Sequence, residues 1–192
     1  MKPLNLLAFL TILIWPVVPL FWIPVHGLSR FFKKIGLLTY IMPPLTWIPI
    51  AYLIFKYKEP LLDFRYEMPV VINIVGLFFT ILGTLLHLWT GKLLGLWGLM
   101  GIPEVSKKLE SRLVSEGPFK IVRHPTYLAH TVLFSGIFLL TEVLTVGILT
   151  IIDFLIVNLV IIPLEEKELS ERFRDYREYC KRVKYRFFPG LW

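Results

Sequence analysis

His124 stands between Arg123 and Pro125. Proline suits the first position of a helix and pushes the residue before it toward extended backbone, so the triplet predicts a helix start with His124 as its cap, beside free amide groups. Those amides and the positive end of the helix dipole attract anions, and a ligand carboxylate or phosphate suits the position. The plainer alternatives are an interfacial histidine satisfied by a backbone carbonyl and an arginine on a lipid phosphate. Glu165 is the second candidate. After Pro163, read as the end of a membrane helix, Leu169, Phe173, Tyr176, Cys180 and Val183 recur at spacings of 4, 3, 4 and 3 and predict one amphipathic helix. Glu165 begins the apolar face of that helix, where a carboxylate needs ligand hydroxyls or a cation; the alternative is a first-turn glutamate favoured by the dipole. Glu168 with Arg172 and Glu178 with Arg182 read as solvated pairs at four-residue spacing. His26, His87, His124 and His130 are scattered and Cys180 is the only cysteine, so neither a metal site nor an internal disulfide is expected.

The elements that must position these groups are apolar. Of 192 residues, 56% are hydrophobic, 15% aromatic and only 18% charged, and the mean hydropathy is +0.67. That composition excludes a disordered chain or a coiled coil and places the protein in a membrane. No Asp, Glu, Lys or Arg occurs in residues 3–29, 35–55, 68–91, 125–141 or 154–164. Only Glu142 separates 125–141 from 143–162, whose one charge is Asp153, so these form a tight helical hairpin. The first segment is too long, and too interrupted by Pro16, Pro19 and Pro24, for a signal peptide, and it reads as a bent membrane helix. The expected fold is therefore all-α and polytopic. About five transmembrane helices end in a C-terminal hairpin, followed by an amphipathic cytoplasmic helix. Residues 1–192 form a single domain, with a three-span part at 1–91 and the loop, hairpin and tail at 92–192.

The net charge of +7 follows from topology. Seventeen of the 21 basic residues fall in the loops around 26–34 and 92–124 and in the tail, and four fall on the other side. The positive-inside rule then puts the N-terminus outside and the tail in the cytoplasm, where anionic lipid head groups are natural partners. Nucleic-acid binding needs no separate hypothesis. The stretch from Gly91 to Gly101 is apolar and glycine-rich, either a relaxed helix end at the membrane surface or a place where a backbone or ligand approaches closely.

An ordered set of residues carries a resemblance. Leu113-Val114, Gly117-Pro118-Phe119, Arg123-His124-Pro125 with Tyr127, the hairpin, Glu165-Glu166, Phe173, Tyr176, Tyr179, and Arg186 with Pro189 together resemble the superfamily of isoprenylcysteine carboxyl methyltransferases and phospholipid methyltransferases. The resemblance covers roughly the last 80 residues and lies in the order of the set, since each element alone is common. It implies an integral membrane enzyme that transfers a methyl group from S-adenosylmethionine to a lipophilic acceptor at the interface, with no metal. By that comparison Ser111, Arg112, Leu113, Val114 and Phe119 line the cofactor, His124, Pro125, Thr126 and Tyr127 hold it, and Glu165 contacts it. Tyr176, Tyr179, Arg186 and Asn158 are candidates for the acceptor, and His124, Glu165 and Arg186 for positioning. A membrane sterol-type reductase using NADPH and a non-catalytic membrane scaffold are the rival readings.

The sequence departs from the family pattern at four places. Phe119 replaces a tyrosine. Arg174 stands where a glycine is usual and Tyr176 comes one residue early, so the tail helix is expected to run on without a bend. An extra residue lies near Lys184-Tyr185. Finally, isoprenylcysteine methyltransferases carry an arginine two residues before the position of Pro163, and here that residue is Ile161. The missing carboxylate clamp turns the expectation toward a lipid amine or another acceptor without a carboxylate.

Overall fold

The computed structural model describes residues 2–106 and 112–190. Among these the chain is helical, with one isolated antiparallel bridge between Arg65 and Val143. Helices α1 (Pro3–Ile14) and α2 (Val17–Gly27) make one apolar run, broken at Trp15-Pro16 because Pro16 has no amide to donate. Helix α3 (Ser29–Ile35), a 3-10 turn (Gly36–Ile41) and α4 (Met42–Lys56) make a second run. The short α5 (Lys58–Asp63) leads to α6 (Val70–Leu99) and α7 (Ile102–Val105). Helices α8 (Pro125–Thr141) and α9 (Leu144–Ile156) form the hairpin. A π-helical segment (Val157–Ile161) then joins α9 to α10 (Ile162–Arg172), and α11 (Tyr176–Arg182) comes last.

Four runs are long and apolar enough to cross a bilayer: Pro3–Gly27, Ser29–Lys56, Val70–Val105 and Leu144–Arg172. Helix α8, with 17 residues, is the shorter fifth, at the low end of what spans a hydrocarbon core. The protein is thus an all-α polytopic membrane protein.

Helix α8 lies against α6 so closely that backbones meet. A Cβ on Gly83 would fall 2.5 Å from the Leu133 amide nitrogen, and one on Gly136 would fall 2.4 Å from that of Thr80. Lipid provides no hydrophobic drive between helices, so such contact supplies the attraction that holds the pair. At the hairpin turn Glu142 takes a left-handed conformation with φ 62°. Its carboxylate accepts hydrogen bonds from the Met68 amide and Asn73 Nδ2, both at 3.1 Å. Those bonds draw its pKa below the usual carboxylate value. Arg65 joins this end of the molecule by donating to the Thr141 carbonyl and to Asn5.

Three expectations about the last span and tail are corrected. Pro163 does not end the membrane helix. The π-helical segment ahead of it widens the turn that would otherwise press the proline ring on the carbonyl four residues back, and the helix continues to Arg172. The tail does not run on as one helix either. It breaks at Phe173, which is extended at φ −116°, ψ 120°, without needing a glycine. Tyr176, Tyr179 and Val183 nevertheless pack as one apolar cluster with Leu113 and Leu169. Lastly, Glu168 is not solvated but 3% exposed. The tail packs on α2 and α3, so Glu168 meets His26 Nδ1 at 3.0 Å and Lys33 Nζ at 3.3 Å, as well as Arg172 at 3.5 Å. Glu178 is exposed as expected, but its partner is Lys181 at 2.7 Å.

Candidate functional site

The loop from Arg112 and the start of α8 are held in place by the C-terminal tail. The amides of Arg123 and His124 donate to the carbonyls of Tyr185 and Arg186, so the end of the tail is tied to the start of α8. Phe187, fully buried among Val157, Ile161 and Ile162, pins that pairing to the π-helical segment. Tyr179 donates to the Phe119 carbonyl at 2.8 Å and ties α11 to the loop.

Glu166 is the hub of this end. It accepts from Arg123 Nε at 2.8 Å and Arg186 Nη2 at 2.7 Å, and His124 Nε2 lies 3.2 Å away. Arg123 also donates to the Val183 and Lys184 carbonyls. His124 is 4% exposed and precedes α8, but its side chain makes no capping hydrogen bond. The expected cap is instead turned toward α10, where Nδ1 is 3.6 Å from Glu165 Oε2. Burial alone disfavours the imidazolium, yet the two carboxylates outweigh it and hold the His124 pKa above its ordinary value.

Beside this hub lies a cavity of about 470 Å3, a size suited to a small-molecule ligand of roughly 300–1,000 Å3. Helices α2, α6, α7, α8 and α10, the loop from Arg112 and α11 enclose it. Of the residues singled out from sequence, Arg112, Leu113, Val114, Phe119, His124, Thr126, Tyr127, Glu165, Tyr176 and Tyr179 line it. Pro125 is buried next to it, and Arg186 stands behind it on Glu166. Asn158 is away from it, in the π-helical segment, donating to the Phe154 carbonyl. Ser111 lies outside the described residues. The cavity further takes in Trp22, Gly98, Glu104 and Arg172, and also His87 and His130. Gly98 belongs to the glycine-rich stretch singled out from sequence; the others were not assigned to the site because they come from distant elements, and the available signal for the two histidines was an ionisable group inside an otherwise charge-free apolar block.

The lining carries unsatisfied acceptors. Glu104 Oε2 is buried without a hydrogen-bond donor, although Arg172 holds the other Glu104 oxygen at 3.0 Å, and Glu165 Oε2 has only the long 3.6 Å contact with His124 Nδ1. A buried carboxylate oxygen left without a donor is costly, so the lining is complementary to a ligand that brings hydroxyl, ammonium or sulfonium character. Among the described residues no group of three histidine, cysteine, aspartate or glutamate side chains is arranged to hold a metal ion.

The phospholipid methyltransferase family matches residues 71–176, more than half of the chain, from α6 through the first residue of α11. The chain belongs to that family. It is therefore a member of a family of membrane methyltransferases, within the isoprenylcysteine and phospholipid methyltransferase superfamily, as the ordered residues after Leu113 indicated. Phospholipid methyltransferases generally use S-adenosylmethionine, and the cavity lies mostly within the matched segment. Among curated proteins the chain is 27% identical over 114 residues to the cobalt-zinc-cadmium resistance protein CzcN of Cupriavidus metallidurans, covering 54% of this chain and 52% of that one. It is 30% identical over 87 residues to the nickel-cobalt-cadmium resistance protein NccN of Alcaligenes xylosoxydans xylosoxydans, covering 45% and 40%. The matches thus span about half the length of these relatives or less. No solved structure matches the chain.

Proposed function

We propose that the protein transfers a methyl group from S-adenosylmethionine to a lipophilic acceptor at the membrane interface. The observation that carries this reading is the cavity at the start of α8, with the buried Glu165 carboxylate in its wall and only a long contact to His124, in a chain of the phospholipid methyltransferase family. Glu165 and Glu104 would accept hydrogen bonds from the hydroxyl or ammonium groups of the cofactor, and Phe119, Tyr127 and Tyr176 offer aromatic surface. The amides at the start of α8 and Arg112 suit its carboxylate. When bound, that cofactor supplies an activated methyl on a sulfonium sulfur. The protein's own contribution is to orient, to exclude water and to hold charge, which is what an in-line displacement needs.

Glu166 acts at one remove. By gathering Arg123, Arg186 and His124 it keeps the tail closed over the cavity and keeps His124 beside Glu165. Ile161 is buried against Phe187 and leaves no cation where a carboxylate acceptor would want one. We therefore favour an acceptor without a carboxylate. By the positive-inside rule we infer that the site and tail are on the cytoplasmic side and the N-terminus outside, a reading supported by the basic excess in the loops around 26–34 and 92–124 and in the tail.

Calorimetry on the purified protein in detergent tests the reading. S-adenosylmethionine and S-adenosylhomocysteine should bind, and Glu165→Gln should weaken them about tenfold, the size of one lost charge-assisted hydrogen bond. Absence of binding by folded protein would overturn it.

A further inference from the structure

His130 and Asp153 lie in two of the apolar segments and have no part in the cofactor contacts proposed for the cavity. His130 is six residues beyond His124 on α8, about 9 Å deeper along the axis at 1.5 Å per residue. Its ring lines the same cavity, as does that of His87 from α6. His130 Nε2 is 3.5 Å from Asp153 Oδ2, an ion-pair distance without hydrogen-bond geometry, which a small turn of the ring would close. Asp153 is 2% exposed, and its other oxygen accepts from Trp15 Nε1 at 2.9 Å. Phe134 packs on the imidazole with ring centroids 4.0 Å apart, and His87 meets it edge-on at 5.8 Å. Three elements thus fix this ring. An indole from the bend of the first run orients a carboxylate from α9, that carboxylate stands beside an imidazole from α8, and the imidazole belongs to the cavity lining.

Ionisable groups at this depth are costly and mark function. A buried carboxylate behind an imidazole fixes its orientation and stabilises the imidazolium, the arrangement that makes a histidine a general base. We propose that His130, oriented by Asp153, is the base that serves the methyl acceptor, and that the acceptor is an amphiphile whose nucleophilic atom carries a proton: a thiol, a phenol or an amine. The proposal rests on the methyl-transfer reading and supplies its acceptor side. The acceptor's lone pair forms the bond to the methyl carbon as the bond from carbon to sulfur breaks, its electron pair staying on sulfur to leave a neutral thioether. The proton of the acceptor passes to His130 Nδ1. A carboxylate acceptor is ionised at neutral pH, gives the base nothing to do and would be repelled by Asp153.

Wild-type protein in lipid nanodiscs is assayed with labelled S-adenosylmethionine against dodecanethiol, dodecylphenol, dodecylamine and dodecanoate. At least one of the first three is methylated and dodecanoate is not. His130→Gln lowers turnover of the accepted compound 100-fold or more, the low end of general-base effects of about 100- to 10,000-fold, while its affinity for S-adenosylhomocysteine stays within twofold of wild type. Asp153→Asn keeps an oxygen for Trp15 and gives a smaller loss. Transfer to dodecanoate alone, transfer to none of the four, or His130→Gln turnover within threefold of wild type overturns the proposal. A wild type that fails to bind S-adenosylhomocysteine overturns the broader reading, a separate outcome from intact binding with indifferent His130. If His130→Gln does not fold, the wild type without cofactor carries the test. Diethyl pyrocarbonate should modify His130, as read by mass spectrometry, and the accepted amphiphile, but not dodecanoate, should shield it. Equal modification with and without the amphiphile overturns the proposal.

Discussion

Between α6 and α8 the backbones meet at Gly83 and Gly136 with no room for a methyl group. At the tail end, Glu166 and Glu168 gather Arg123, Arg186, His124, His26, Lys33 and Arg172. The first contact is apolar, made by shape and insensitive to salt; the second is ionic, made by charge. The difference follows the solvent. Inside lipid, attraction comes from close packing, because side chains gain nothing by leaving a hydrocarbon for another. At the interface, half-buried charges find one another, and their attraction depends on pH and on the complete set of partners.

Substitutions should separate the two. The largest effect is expected for Gly136→Val, because its added atoms meet the Thr80 backbone, which cannot swing aside. The cost should lie at or above the upper end of about 1–3 kcal/mol for overpacking. Unfolding in detergent measures it, and wild-type stability would break the comparison at its apolar end. Next comes Glu168→Gln. Removing one charge from a buried cluster strands its cations, and with Lys33 partly exposed the loss should be about 2–3 kcal/mol.

A pH series is smaller and sharper. His124 has a raised pKa in the folded protein, so its pairing with Glu165 and Glu166 contributes fully below about pH 6.5, the value of a free imidazole. That contribution is lost as pH rises through the raised value. His124→Gln should flatten this part of the stability profile, whereas Gly136→Val should shift it without changing its slope. The smallest effect belongs to Glu178→Gln, whose partner Lys181 is equally exposed, with less than about 0.5 kcal/mol expected.

The spans were readable because charge-free blocks are a one-dimensional signal, and the solvent on both sides enforces it. That His124 stands just before a helix, and that Glu165 lies on the inward face of one, was readable because proline punctuation and a four-three apolar rhythm are local. Glu168 was not, since four-residue spacing to Arg172 describes its own helix and says nothing of His26 arriving from 142 residues away. Asn158 looked like a polar group near the acceptor because chain proximity stood in for direction; the π-helical segment turns it away from the cavity. His87 and His130 were noticed only as poor metal ligands. The bend at Phe173 had no local sign, because the glycine that usually marks it is an arginine one residue on.

The π-helical segment from Val157 to Ile161 sets an angular phase. One residue in a helix is worth about 100° of rotation, and the wider turn accommodates a residue that an α-helical path of the same rise would leave out. Everything after Ile161, Glu165 and Glu166 included, therefore points about a quarter-turn away from where an uninterrupted α9 would aim it. That phase brings both carboxylates to His124, while Glu165 also meets the cavity and Glu166 the arginines that close the tail. Deleting a single residue such as Leu159 would leave every functional side chain in the sequence and rotate the pair out of step with both.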